Sequence, residues 1–176
     1  MNNIQIRKCL ESEIDITGEF YDRVVRWLDN SVNYPRWISH VYPSAETVKA
    51  MTKEGAQYIC TVVEKIIGAF ALNTNPQGCY WKGQWKNPLP DGSYMVLHAL
   101  ATDPDIHRHG LGSEIIHFCI DKAKSQGYKA IRLDVVPNNY PARILFEKNG
   151  FTYAGDVDLE LKIGNIPYFS LYELNW

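Results

Sequence analysis

The run His107-Arg108-His109-Gly110-Leu111-Gly112-Ser113 has the residue types of an anion-binding turn. It follows the apolar stretch Ala99-Leu100-Ala101-Thr102, which closes on Asp103-Pro104, and it opens a segment of helical periodicity. A strand ending there and a helix beginning there bring backbone N–H groups, the positive end of a helix dipole and cationic side chains to one point. Such a point holds a phosphate or pyrophosphate. Gly110 and Gly112 remove side chains, so a ligand can approach the main chain closely. Taken alone, the turn is equally an ordinary β–α connection that uses glycine for its geometry. Two other phosphate fingerprints are excluded. A G-x-G-x-x-G pattern needs glycine at 115, where the chain has Ile115. A P-loop closes on Gly-Lys-Ser/Thr, and this chain reads Gly112-Ser113-Glu114.

A second segment follows the next strand-like run, Ala130 to Val136: Asn139-Tyr140-Pro141-Ala142-Arg143-Ile144-Leu145-Phe146-Glu147-Lys148-Asn149-Gly150-Phe151. The two segments together resemble the GNAT superfamily of acetyl-CoA-dependent N-acetyltransferases. That family's turn reads Gln/Arg-x-x-Gly-x-Gly/Ala; His107 stands in the Gln/Arg position, with Gly110 and Gly112 in register. Its later helix often reads Asn-x-x-Ala-x-x-Leu-Tyr-x-x-x-Gly-Phe, and Asn139, Ala142, Leu145, Phe146, Gly150 and Phe151 fall in step. The motifs cover about 94–153, and the order of strands and helices extends the likeness to nearly the whole chain, 1–176, as a single domain.

The resemblance implies acetyl-CoA as cofactor and CoA as product. The amides of Arg108, His109, Gly110, Leu111, Gly112 and Ser113, headed by His107, would hold the CoA pyrophosphate. The main chain of Leu100, Ala101 and Thr102 would pair with the pantetheine arm as an added strand does. Asn139 would hydrogen-bond the cofactor near the thioester, Ala142 belongs to the same motif, and Phe146 would lie close to the sulfur. No metal is implied.

Acetyl transfer to an amine needs a neutral amine, and an alkylammonium with a pKa near 10 must lose a proton first. His98 is the candidate base, since an unperturbed imidazole pKa of about 6.5 suits proton acceptance. Leu97-His98-Ala99-Leu100-Ala101 is similar to the matching strand of arylalkylamine N-acetyltransferases, which carry a second histidine two residues earlier, where this chain has Val96. The alternative is a buried, hydrogen-bonded histidine facing the other way. The N–H of Leu100 is the candidate oxyanion donor. Phe146 stands where many members carry tyrosine, and it has no proton to give the leaving thiolate. Either the thiolate departs unprotonated, as a thiol pKa near 8.5 allows, or Tyr140, Tyr153, Tyr168 or Tyr172 serves. On the acceptor side stand Tyr34, Trp37, Trp81 and Trp85, in two irregular stretches rich in aromatics, 30–43 and 73–93. Aromatic walls suit an aryl or alkyl amine; equally, these rings plug the sheet against its helices.

The elements that must position these residues follow from periodicity and caps. Alternation marks strands near 4–6, 58–63, 65–72, 94–102, 130–136, 151–157 and 168–174. Helices are predicted over 14–28, from Ser44 to about Lys53, from Gly110 to about Gln126, and over 139–149. Glu64 falls in a hairpin turn. A strand–helix–strand unit over 94–136 demands a parallel pair, and the hairpins demand antiparallel ones. The fold class is α/β with a central twisted mixed sheet flanked by helices, the GNAT-like acyl-CoA N-acyltransferase fold.

Composition narrows the rest. A net charge of −2 offers no basic field for nucleic acid. Cys9, Cys60, Cys79 and Cys119 stand apart with no metal-ligand spacing, as reduced thiols of a cytoplasmic protein would. No stretch is apolar enough to span a membrane, and the N-terminus lacks a signal-peptide core. The final strand, 168–174, is expected to be exposed and able to pair two copies into a homodimer. The expected activity is acetyl transfer from acetyl-CoA to a primary amine of a small molecule or peptide, by direct attack in a ternary complex. A catalytically silent acyl-CoA-binding or sensor domain is the alternative. The acceptor is not legible in the sequence.

Overall fold

The computed structural model describes residues 4–106, 110–163 and 165–176. The expectations for His107, Arg108 and His109 lie outside those residues. The strands are β1 (Gln5–Lys8), β2 (Gln57–Val62), β3 (Lys65–Asn73), β4 (Met95–Thr102), β5 (Ala130–Val135), β6 (Thr152–Val157) and β7 (Phe169–Asn175). The helices are α1 (Ile14–Asp29), α2 (Ala45–Lys53), α3 (Leu111–Ser125) and α4 (Tyr140–Lys148). The sheet order is β1-β2-β3-β4-β5-β7-β6. This is the mixed α/β sheet the sequence predicts, with the element order it predicts. The chain divides into two compact units, 1–72 with 98–115, and 73–97 with 116–176.

In the first unit, β1, β2 and β3 form antiparallel pairs. Val62 faces Lys65 across a two-residue turn whose Val63 and Glu64 both have positive φ, 45° and 64°. That is the turn twist a tight hairpin requires. The helix α1 buries Phe20, Tyr21, Val24 and Val25, residues spaced one and three to four apart on a single face. Val48 of α2 and Ile59 and Ala69 of the sheet join Phe20, Tyr21 and Val24 in one core. A Cβ at Gly18 would meet the Ala45 Cβ at 2.8 Å, so glycine is what lets α2 start against α1. Ser44 caps α2 through its hydroxyl, which accepts from the Thr47 N–H.

In the second unit, β4 runs parallel to β5 in a register that couples Met95 with Ile131 and Val96 with Arg132. Along its other edge β5 pairs antiparallel with β7 over Ala130–Val135. The strand β6 pairs with the far edge of β7. This corrects the expectation of an exposed final strand: β7 lies between β5 and β6, and both its edges are hydrogen-bonded. The chain passes over the vacant place beside β5, makes β6, and returns to fill it. The stretch 73–93 is also more ordered than its glycines and prolines suggest. A short 3-10 turn, Tyr80–Lys82, sits within it. The Cys79 N–H donates to the Leu159 carbonyl, the Gln84 N–H to that of Ala154, and the Lys86 N–H to the Glu173 carboxylate.

Candidate active site

In the first unit the candidate residues sit where β4 ends and α3 begins. His98 is buried within β4. The next residue, Ala99, has φ 49°, a left-handed conformation inside a strand. For alanine this costs about 1 to 2 kcal/mol, because its Cβ crowds the carbonyl. The Ala99 carbonyl oxygen accepts a hydrogen bond of 2.8 Å from the Tyr21 hydroxyl of α1. Burial holds the Tyr21 phenol far above its ordinary pKa, against a smaller lowering by the Gln57 amide, so the hydroxyl keeps the proton it donates.

Beyond Thr102 the chain is anchored by Asp103, whose side chain is wholly buried. Its N–H donates to the Ile67 carbonyl at 2.8 Å. One carboxylate oxygen receives Arg23 at 2.9 Å and Lys65 at 3.1 Å; the other accepts the Asp105 N–H at 3.0 Å. A buried carboxylate needs such partners to remain charged. These bonds fix the point from which the turn departs. Gly110 takes up the turn at φ 110°, a conformation that strains any residue with a side chain. A Cβ there would meet nothing within 4 Å, so the requirement is the angle and not the space. The Gly110 carbonyl accepts the Glu114 N–H at 2.9 Å, which makes Gly110 the N-cap of α3. Leu111 and Gly112 are the first residues of the helix, where amides lie outside the helix's own hydrogen-bond ladder. An anion at this end meets main-chain donors and the positive end of the dipole. The described part of the turn, from Gly110 onward, supplies the kind of helix start at which a phosphate group can be held.

In the second unit, the Asn139 side-chain oxygen accepts the Ala142 N–H at 3.3 Å and caps α4. That geometry leaves its NH2 group as the donating half. Phe146 is buried, with its ring edge-on to Phe151 at 5.5 Å. The Tyr172 hydroxyl accepts from Arg143 at 2.9 Å and donates to Glu147 at 2.8 Å. Burial, then the hydrogen bond to Glu147, raises its pKa. Tyr140, Tyr153 and Tyr168 are about half exposed.

The candidate acceptor residues fall in different settings. In the first unit Trp37 is edge-on to Tyr21 at 6.2 Å and to Tyr42 at 6.5 Å, and Tyr34 lies partly buried in the same 30–43 stretch. In the second, Trp81 is 76% exposed. Trp85 packs on the core, donates its indole N–H to the Tyr80 carbonyl, and covers the Arg132 guanidinium at 4.1 Å. Tyr94 covers the same guanidinium, also at 4.1 Å. Tyr21, Ala99 and Asp103 are absent from the sequence-based list. A hydroxyl on the apolar stripe of α1 was the available sign for Tyr21, since a buried tyrosine needs a partner. Among the described residues no group of His, Cys, Asp and Glu could hold a metal ion, and no helix is long and apolar enough to cross a membrane.

The acetyltransferase (GNAT) family model matches residues 22–151. An uncharacterized N-acetyltransferase of Methanocaldococcus jannaschii is 23% identical over 150 residues, 83% of this chain and 59% of that protein. The chain thus spans about three-fifths of the length of that curated relative. Among solved structures, a GNAT-family acetyltransferase of Streptococcus agalactiae superposes with a TM-score of 0.77 at 16% identity, covering 98% of this chain and 95% of the other. The yncA protein of Salmonella typhimurium, solved with its cofactor acetyl-CoA, gives 0.68 at 14% identity, covering 98% and 94%. At such identities the structures attest the fold. With the family model spanning most of the sequence, the chain belongs to the acetyltransferase (GNAT) family.

Proposed function

We propose that the protein transfers an acetyl group from acetyl-CoA to a primary amine, by direct attack of the amine while both substrates are bound. The observation that carries this reading is the Gly110-capped start of α3, directly after β4, in a chain of this family. The main-chain donors of Gly110, Leu111, Gly112 and Ser113 hold the pyrophosphate, and the Leu100–Thr102 main chain pairs with the pantetheine arm. Asn139, through its NH2 group, Ala142 and Phe146 are the cofactor-binding residues proposed in the second unit. Acetyl-CoA supplies the activated acetyl group.

His98 accepts the ammonium proton, directly or through water, and frees the nitrogen lone pair. As the carbon–nitrogen bond forms and the carbon–sulfur bond breaks, the Leu100 N–H bonds the oxygen on which charge develops. Phe146 offers no proton, and the Tyr172 hydroxyl already donates to Glu147. Departure of the sulfur as thiolate is the course proposed, consistent with a thiol pKa of about 8.5, with Tyr140, Tyr153 and Tyr168 as the other proton donors. Tyr34, Trp37, Trp81 and Trp85 are the aromatic groups proposed to meet a small-molecule or peptide amine, with packing as the competing role for Trp85. The buried thiols agree with a cytoplasmic setting.

Calorimetry with acetyl-CoA, followed by an amine panel read through free CoA thiol, tests the proposal. Binding with thiol release on at least one amine supports it, and absence of binding at millimolar cofactor overturns it. Phe146 favours one second reading, a silent acyl-CoA-binding domain. Binding without thiol release across alkyl, aryl and peptide N-terminal amines would select that reading.

A further inference from the structure

Tyr21 has no part in the steps above, yet it touches a left-handed main-chain position inside a strand. Ala99 lies between the proposed base, His98, and the proposed oxyanion donor, Leu100, with its φ at 49°. Alanine adopts that conformation only where its surroundings over-determine it. The surroundings here are a hydroxyl donating to the Ala99 carbonyl at 2.8 Å. The tyrosine that bears it is fully buried, with its ring 5.7 Å from Phe20 and 6.2 Å from Trp37, both edge-on.

The carbonyl of Ala99 and the N–H of Leu100 belong to one planar trans peptide and point in opposite directions. A bond that fixes the first therefore fixes the second. We propose that Tyr21 is a positioning residue: by pinning the 99–100 peptide through the Ala99 carbonyl, it aims the Leu100 N–H at the acetyl oxygen. The inference rests on the acetyl-transfer reading for its consequence, but not for the pin itself. The Tyr21 ring also touches Trp37, so the pin joins the main chain of β4 to the aromatic 30–43 stretch within one unit.

The test compares the wild type, Tyr21→Phe, Ala99→Gly and the double variant. Tyr21→Phe removes one oxygen and keeps the ring. In the ligand-free protein, the backbone order parameter at the Leu100 amide should fall from about 0.85 to below about 0.6 in Tyr21→Phe. In turnover, kcat should fall about tenfold or more, with the acetyl-CoA dissociation constant within about threefold of wild type. Ala99→Gly relieves the crowding at φ 49° while the pin remains, so the Leu100 amide should stay ordered. Should Tyr21→Phe alone fail to fold, the same comparison is made between Ala99→Gly and the double variant. An unchanged Leu100 order parameter or an unchanged kcat on loss of the hydroxyl overturns the proposal. So does a fall in kcat matched by an equal fall in acetyl-CoA affinity, the mark of general damage. A wild type that binds no acetyl-CoA defeats the functional reading instead, while the order-parameter comparison still decides the pin.

Discussion

His98 and the cysteines carry the predictions that belong to single residues. If His98 takes the proton, His98→Ala should lower kcat about 100-fold or more near neutral pH. The deficit should shrink as pH approaches an amine pKa of about 10, where the acceptor loses its proton unaided. A pH–rate profile with the wild-type shape would remove His98 from that role. The four thiols are all buried. Burial, with a smaller contribution from the Glu114 charge, pushes the Cys60 thiol up to about 12. Cys60 should therefore resist a disulfide reagent at pH 8 in the native protein and react at the rate of unfolding, as thiol release with and without denaturant would show. Reaction at the rate of a free thiol would mean that Cys60 is accessible.

Elements place these residues, and Asp103 joins several of them. Arg23 of α1, Lys65 of β3 and the turn after β4 all meet its carboxylate. Asp103→Ala should cost about 1 to 3 kcal/mol, read as a lower urea midpoint, since it strips a buried acceptor from two cations and an N–H. It should also weaken acetyl-CoA binding, because the turn loses its anchor. A midpoint equal to wild type would show that the turn does not depend on that carboxylate.

At the start of α1, Arg7 donates two hydrogen bonds to Glu13, each 2.7 Å. These, followed by the Leu10 N–H among the favourable contacts, hold the Glu13 carboxyl below its ordinary pKa against the cost of burial. A carboxyl whose folded pKa is depressed adds stability above its unfolded pKa and loses it as pH falls through the folded one. The pair is partly exposed, so Glu13→Gln should cost less than about 1 kcal/mol at pH 7. That difference should vanish in denaturation curves taken below the depressed pKa; a difference that persists there would exclude the ion pair as its source.

Local signals located most of these elements. Ser44, Asn139 and the hairpin residue Glu64 stand where their sequence neighbours require a cap or a turn. The expected exposure of the final strand does not hold, because alternation marks a strand without saying which strands lie beside it.

For the whole chain, a ligand that binds only the folded state stabilises it. At a concentration of 100 dissociation constants, acetyl-CoA should add about 2.7 kcal/mol. For a chain of this length that raises Tm by roughly 5 to 10 °C, measurable by calorimetry. An unmoved Tm at millimolar cofactor would count against the binding reading. With β7 paired on both edges, β1 and β6 are the edge strands of the sheet, so the route to a homodimer drawn from the final strand is closed.

The two motif segments, the order of eleven strands and helices, the parallel unit from β4 to β5 and the family they indicate are all legible in the residues alone. Each follows from signals that act over a few residues: side-chain period, caps, glycine at a positive φ. That β7 fills the place beside β5, that Asp103 is buried among cations, and that Tyr21 reaches Ala99, 78 positions away, emerges from packing in three dimensions. Partners so far apart in sequence are chosen by the packing of whole helix and sheet faces, which no local pattern encodes.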